Sequence, residues 1–293
     1  KMKLDEGKLV LTTSLGEIKE SIPYSYQNIN GERKEVKCKF VLHDNEVSFD
    51  VVKGYNADYD LYIDPTLVFC TFTGSTADNW GFTATNDTLG NFYAGGIVSG
   101  LGYPVTPGAF QIPYGGGTTT SGSQFACDVA ISKFNTAGNT LLFATYLGGN
   151  DNEQPQSIIV DNLQNLCIAG RTYSADFPTT AGCFDPSYNG SGDLFVTKMN
   201  SAGTALIGST YVGGTAEDAA NETALEFVGG VLKHNYGDDA RSEIIVDANN
   251  NVYITACSKS SDFPTVNAFQ NTLAGLQDAV IVELNNNCSS LLW

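Results

Sequence analysis

The sequence is poor in the residues that bind nucleic acid or carry acid–base chemistry. Its 293 residues include only 15 lysines and arginines, against 32 acidic residues, and only two histidines. The net charge of −17 argues against nucleic acid as a partner, because phosphate binding needs a dense basic face. An acidic surface by itself names no other partner.

Long apolar runs and paired cysteines are also missing. No apolar run approaches the roughly 18–20 residues of a membrane helix, so we expect no membrane-spanning segment. The seven cysteines include no Cys-x-x-Cys pair, and a zinc site is therefore not expected. Because their number is odd, at least one is free or pairs outside this chain.

The shortage of histidine bears on catalysis. A Ser/His/Asp or Cys/His arrangement would have to use His43 or His234, and no Gly-x-Ser-x-Gly motif accompanies either. Paired carboxylates could support glycoside hydrolysis. However, the acids that would serve, Asp176, Asp262, Asp193 and Asp278, recur at equivalent positions of an internal repeat, which favours a structural role. Asp128 is the structural counterpart of Asp193 and Asp278 in the first copy. We expect the protein not to be an enzyme.

What the chain has instead is one pattern that occurs three times. Each copy opens on an apolar run ending in glycine, at 67–74, 141–148 and 206–213, and a fourth run begins at Leu291. Two apolar strands joined by an Asp-x-x-x-Asn turn follow, and then a Pro-containing loop with an aromatic residue. A third strand begins at an Asp and leads into an Asn-x-x-Gly turn, which the third copy replaces with Asn285–Cys288.

Each copy therefore has four short β segments, and tandem four-stranded units are typical of β-propeller blades. The sequence predicts an all-β partial propeller over 67–293. It begins with a ring-closing strand at 67–74, followed by blades at about 78–149, 150–214 and 215–293. Because propellers have about 4–8 blades, we expect the protein to continue beyond Trp293. Further blades, or another chain, would cover the open edge.

Residues 1–66 follow a different pattern. They alternate apolar and polar residues, and Asn30-Gly31 is a strong hairpin signal. We predict a small antiparallel β module here, with Asp64-Pro65 at the junction to the repeats.

The repeat landmarks resemble those of a known family. The best copy, 141–214, contains Thr-Tyr-Leu-Gly-Gly, Ile-Val-Asp-x-x-x-Asn, Ser-x-Asp-Phe-Pro-Thr and Asp-x-Phe-Val-x-Lys-x-Asn-x-x-Gly in this order. This combination resembles the SBBP repeats, the bacterial "seven-bladed β-propeller" family, and residues 1–66 look like the β module that often precedes them. The first copy departs from the pattern at Gly102-Tyr103-Pro104.

The resemblance implies an exported protein, secreted or on the surface of a Gram-negative bacterium that uses type IX secretion. It implies no reaction. We therefore expect a non-enzymatic scaffold or adhesion protein. A carbohydrate-binding or carbohydrate-active propeller, with surface glycans as ligands, is one alternative. A component or cargo of an outer-membrane complex is another.

Calcium is the one cofactor the turns could suit, since it prefers oxygen ligands. The candidate ligands are Asp87, Asn91, Asp161, Asn165, Asp247 and Asn251. The turns lack the denser acidic spacing of an EF-hand, and a hairpin built from Asp and Asn needs no metal. For a ligand-binding surface the loop residues to examine are Tyr114, Phe227 and Tyr236, whose rings could stack on sugars or pack the loops down.

Overall fold

The computed structural model describes residues 1–13, 16–44, 46–51, 54–64, 70–117, 126–220 and 242–293. Within these ranges the regular structure is entirely β, in small antiparallel sheets, which confirms the predicted all-β class. None of the described segments forms a helix long and apolar enough to cross a bilayer. The chain divides into two compact units, Lys1–Cys70 and Thr71–Trp293.

The first unit contains three small sheets. Its strands are β1 (Met2–Asp5), β2 (Lys8–Thr13), β3 (Gly16–Glu20), β4 (Tyr24–Ile29), β5 (Glu32–Glu35), β6 (Cys38–His43), β7 (Glu46–Val51) and β8 (Leu61–Asp64). They pair in the orders β1-β2-β3, β5-β4-β8 and β6-β7. The Asn30-Gly31 hairpin joins β4 and β5, and both residues have positive φ, 53° and 86°, as a tight type I′ turn requires.

In its described residues, the second unit contains three sheets whose strands follow one another in chain order. Its strands are β9 (Asn79–Asn86), β10 (Phe92–Val98), β11 (Asp128–Phe134), β12 (Leu141–Leu147), β13 (Glu153–Val160), β14 (Leu166–Thr172), β15 (Asp193–Met199), β16 (Leu206–Val212), β17 (Glu243–Val246), β18 (Val252–Ser258) and β19 (Asp278–Leu284). The sheets are β9-β10-β11-β12, β13-β14-β15-β16 and β17-β18-β19. A bridge from Leu284 to Leu291 marks the fourth position of the third sheet. None of the described sheets closes on itself.

The hydrophobic core lies between consecutive sheets. Strands β11, β14 and β15 are buried along their whole length, including the charged residues Lys133, Arg171 and Lys198 that they carry. One cluster joins the first two sheets through residues such as Tyr93 and Phe195. Another joins the second and third sheets through residues such as Val196 and Ile254. Each sheet thus buries its faces against its neighbours, as layered β folds must.

The first strands of the three sheets are neighbours, because β13 contacts both β9 and β17. The turns at this end of the sheets also bond to each other. Thr88 donates its backbone N–H to Gln164 Oε1 (3.3 Å), and Asn162 donates its backbone N–H to Asn250 Oδ1 (3.0 Å). The predicted strand at 67–74 begins outside the described residues, and 70–74 carry no regular strand.

Candidate functional site at the junctions between sheets

The three Asp-x-x-x-Asn turns share one hydrogen-bond arrangement. Asp87 Oδ1 accepts the backbone N–H groups of Leu89 (3.1 Å) and Asn91 (2.8 Å), and its Oδ2 accepts Asn91 Nδ2 (2.9 Å). The other copies repeat this with Asp161 and Asn165, and with Asp247 and Asn251. The Asp and Asn of the motif thus close the turn from within, which explains why this spacing recurs.

Two of these turns also hold a buried lysine from the third strand. Lys133 Nζ lies 3.0 Å from Asp87 Oδ2, and Lys198 Nζ lies 3.2 Å from Asp161 Oδ2. Burial opposes the charge on Asp87, but hydrogen bonds from Asn91 and Lys133 outweigh it and hold the pKa of Asp87 below its usual value. The lysine of the repeat is therefore the counter-charge of the turn.

The residues proposed as calcium ligands therefore already serve the fold, because they close the three turns. Their carboxylate oxygens already accept donors from the turn and, in two copies, an ammonium group. In the third copy Glu283 replaces the lysine and accepts the Tyr253 hydroxyl (2.9 Å) and Asn251 Nδ2 (3.3 Å). In the part of the chain that the structure describes, no group of three or more His, Cys, Asp or Glu side chains is placed to hold a metal ion.

The Asp at the start of each third strand ties down the loop that precedes it. In each case Oδ2 accepts a backbone N–H, in the pairs Asp128–Gly115 (2.6 Å), Asp193–Asn189 (2.8 Å) and Asp278–Ala274 (2.9 Å). Asp128 and Asp193 are fully buried, whereas Asp278, on the last sheet, is half-buried.

The loop acids Asp176 and Asp262 bond to the segment that enters their own sheet. Asp176 Oδ1 accepts the Asn150 N–H (2.8 Å), and Asp262 Oδ1 accepts the Thr215 N–H (2.9 Å). The bond from Thr215 holds the pKa of Asp262 below its usual value. In the first copy, where this Asp is missing, the Gly102 carbonyl oxygen accepts a backbone N–H instead.

Two further acids complete the junctions, and the sequence analysis assigned neither of them to a contact between sheets. Glu153 opens β13, Asp218 lies ahead of β17, and both are fully buried. Each is the fifth residue after the glycine that ends an apolar run, Gly148 or Gly213, and this shared spacing is the signal that could have revealed them. Asn79 holds the corresponding place in the first copy and is half-buried there.

At each junction an Asp of one sheet faces the acid of the next sheet across a glycine. A Cβ atom on Gly148 would lie 2.4 Å from Glu153 Oε2 and 3.0 Å from Asp128 Oδ1, so the two oxygens are no further apart than the sum of these distances. The second junction repeats this at Gly213, with Asp193 Oδ1 at 2.7 Å and Asp218 Oδ2 at 2.8 Å. We call Asp128 with Glu153, and Asp193 with Asp218, the two carboxyl pairs.

Burial disfavours the charged form of all four acids. It raises the pKa of Asp128 to about 7, that of Glu153 to about 8 and that of Asp193 to about 7, and it also raises the pKa of Asp218. Hydrogen bonds to these carboxyls offset the shift only in part. Since the four side chains do not reach solvent, they cannot meet a dissolved substrate, and their chemistry is confined to the packing of one sheet on the next.

The loop residues proposed for ligand binding lie elsewhere. Tyr114 packs against Tyr146, with ring centroids 5.9 Å apart, and its pKa is raised by burial. This position fits loop packing better than an open stacking platform. Phe227 and Tyr236 lie outside the described residues, as does His234, whereas His43 is exposed on β6.

The comparison with protein families bears on the first unit. Residues 1–66 match the model of a family described as a domain of unknown function (DUF7948). No curated protein matches the chain. The three repeated sheets therefore have to be interpreted from their own residues.

Proposed function

We propose that this chain is a non-enzymatic scaffold, built from β-propeller blades, in an exported bacterial surface protein that mediates adhesion or displays other modules. The observation that carries the proposal is the use of the repeated polar residues. The recurring acids bond to nearby backbone or lie buried between sheets, so the repeat is devoted to stacking one sheet on the next.

The placement of the first strands supports a propeller. Strand β13 lies between β9 and β17, so consecutive four-stranded units adjoin through the same strand of each unit. In a propeller, repeated sheets of this kind surround a central channel. Further sheets would complete the ring.

The aromatic residue of each Pro-containing loop supports further sheets. The Phe110 N–H donates to the Gly203 carbonyl oxygen in the next sheet (2.8 Å), and the Phe184 N–H donates to that of Cys288 (2.9 Å). Both rings pack against hydrophobic clusters that include residues of that next sheet. Phe269 holds the same place in the third copy, and its side chain is 99% exposed.

The face of the third sheet around this residue is apolar. Ile281 is 59% exposed and Trp293 is 44% exposed. Together with Phe269 they line a cavity of about 430 Å³. Since the equivalent faces of the first two sheets are covered by their neighbours, this surface fits the packing of another blade better than the binding of a free sugar.

A strain that lacks the protein tests the adhesive role. We expect reduced attachment to surfaces and altered cell-surface composition, with both restored by the wild-type chain. Protease added to intact cells should remove the protein, because it would be exposed outside the outer membrane. Unchanged attachment together with unchanged surface composition would contradict the proposal. Saturable binding of the purified protein to particular sugars on a glycan array would instead favour a carbohydrate-binding propeller.

A further inference from the structure

We propose that each carboxyl pair holds a proton, so that the contact between consecutive sheets is stabilised by acid and weakens when the pair becomes fully ionised. The inference does not depend on the adhesive role, since it concerns only how the sheets are held together.

The first pair has one oxygen without a partner. Asp128 Oδ1 is fully buried and accepts no hydrogen bond, and it is the oxygen that points toward Gly148 and Glu153. Both oxygens of Glu153 are occupied, because Oε1 accepts the Thr172 hydroxyl (2.6 Å) and Oε2 accepts the Gly149 N–H (3.1 Å). A proton held by this pair leaves only one charge on the two facing acids, and Asp128 Oδ1 is the facing oxygen that no donor stabilises in its charged form.

The second pair has the same polarity. Asp193 Oδ1 is buried without a partner and points toward Gly213. The facing oxygen, Asp218 Oδ2, accepts the Gly214 N–H (2.7 Å) and the Ser260 hydroxyl (2.9 Å). At both junctions the facing oxygen of the third-strand Asp has no donor, whereas the facing oxygen of the next sheet's acid has at least one. The other oxygen of Asp218, Oδ1, is also buried without a partner. The acid of the next sheet is Glu153 at the first junction and Asp218 at the second. The two junctions therefore share the pairing of two acids and not one particular residue type.

The surroundings supply no positive charge to the first pair. The titratable groups that interact with it, among the described residues, are Tyr114, Tyr211 and Asp176, none of them cationic. Two buried carboxylates without a counter-ion are costly, and uptake of a proton removes that cost. Around the second pair the groups are Asp185, Asp262, Tyr188 and Tyr211. The nearby cations Arg171 and Lys259 bind Glu217 instead.

The sign of the pH effect follows from the raised native pKa values. Between the unfolded values, near 4, and the native values of about 7 for Asp128 and about 8 for Glu153, the folded chain binds more protons than the unfolded chain. The stabilisation is therefore complete below about pH 4 and is lost as the pH rises through the native values. For each proton that the folded chain retains, the folding equilibrium constant falls about tenfold for each unit by which the pH rises between the unfolded and the native pKa values.

Urea unfolding of the full chain between pH 4 and 9, at constant ionic strength, tests this. Asp128→Asn removes the titratable group whose facing oxygen has no donor and keeps an oxygen for the Gly115 N–H. Its folding constant should fall less steeply than that of the wild type, by about tenfold per pH unit. Asp278→Asn is the matched control, because Asp278 starts the equivalent strand with no acid facing it among the described residues, and it should leave the slope unchanged.

A second measurement detects the protonated carboxyl groups directly. In chain carrying ¹³C-labelled Asp and Glu carboxyls, NMR at pH 6.5 should show protonated carboxyls, one of which disappears in Asp128→Asn. If that variant fails to fold, Asp193→Asn and the wild-type spectrum decide the matter. Equal pH slopes for wild type and variant, or the absence of protonated carboxyls, would overturn the proposal. Saturable stabilisation by Ca²⁺ at pH 8 that is lost in the variant would also overturn it, because a metal ion would then hold the pair.

Discussion

Removing the ammonium group of Lys198 should destabilise the second and third sheets together. Its side chain is 2% exposed, and Nζ lies 3.2 Å from Asp161 Oδ2 and donates to the Asn250 carbonyl oxygen (3.0 Å) in the next sheet. Lys198→Met keeps most of the apolar stem but leaves a buried carboxylate without its counter-charge. Breaking a buried ion pair from one side costs about 3–5 kcal/mol, and we expect about 3 kcal/mol because the turn N–H donors remain on Asp161.

Urea unfolding followed by circular dichroism at pH 7 measures this loss, which corresponds to a folding constant roughly 100-fold smaller. The double variant Lys198→Met/Asp161→Asn removes the unpaired charge of Asp161, and its free energy of unfolding should be about 1–2 kcal/mol higher than that of Lys198→Met. Lys259→Met is the matched control. Lys259 is 27% exposed in its pair with Glu217, so its loss should cost no more than about 1 kcal/mol.

Two results would refute the reasoning. A loss below about 1 kcal/mol in Lys198→Met would mean that the buried pair adds no more than a surface pair does. A double variant no more stable than Lys198→Met would mean that the unpaired charge of Asp161 is not the source of the lost stability.

Three further predictions concern packing and acid. Phe184→Ala should cost about 2 kcal/mol in urea unfolding, because its ring packs against the core of the third sheet, whereas the exposed Phe269→Ala should leave stability unchanged. Gly148→Ala should cost about 1–3 kcal/mol, since its Cβ would lie 2.4 Å from a carboxylate oxygen, whereas Gly81→Ala meets no atom within 4 Å and should be nearly neutral. The pKa of Asp87 is lowered in the native state, so its stabilisation should be intact above about pH 4 and be lost below it; Asp87→Asn should abolish that acid-dependent loss.

Local structure was the part of this protein that the sequence could predict. The Asp-x-x-x-Asn turns are closed by their own side chains, and Asn30-Gly31 sets its hairpin through its own backbone preferences. Such features depend on residues within a few positions of each other. The predicted strand at 67–74 depends instead on a distant partner, and its described part, 70–74, forms no regular strand.

The site was harder to predict because it forms between sheets. Asp128 and Asp193 could be recognised as equivalent acids of the repeat, but nothing in the sequence of their own strands shows which side chains face them. Glu153 and Asp218 lie in differing local sequences and recur only in their distance from a glycine. Their meeting with the third-strand acids depends on how two sheets pack, which involves residues far apart in the chain.

The sequence by itself determined the repeat, the all-β class and the turns, because strand periodicity and turn chemistry are local properties. Only the tertiary structure decided which polar groups are buried. In the folded chain Lys198 pairs with Asp161 and also donates to the next sheet. The two carboxyl pairs are buried away from solvent, and Phe269 is exposed. The physical reason is that desolvation and charge pairing depend on the sum of all neighbouring groups, which the chain acquires only when its sheets pack together.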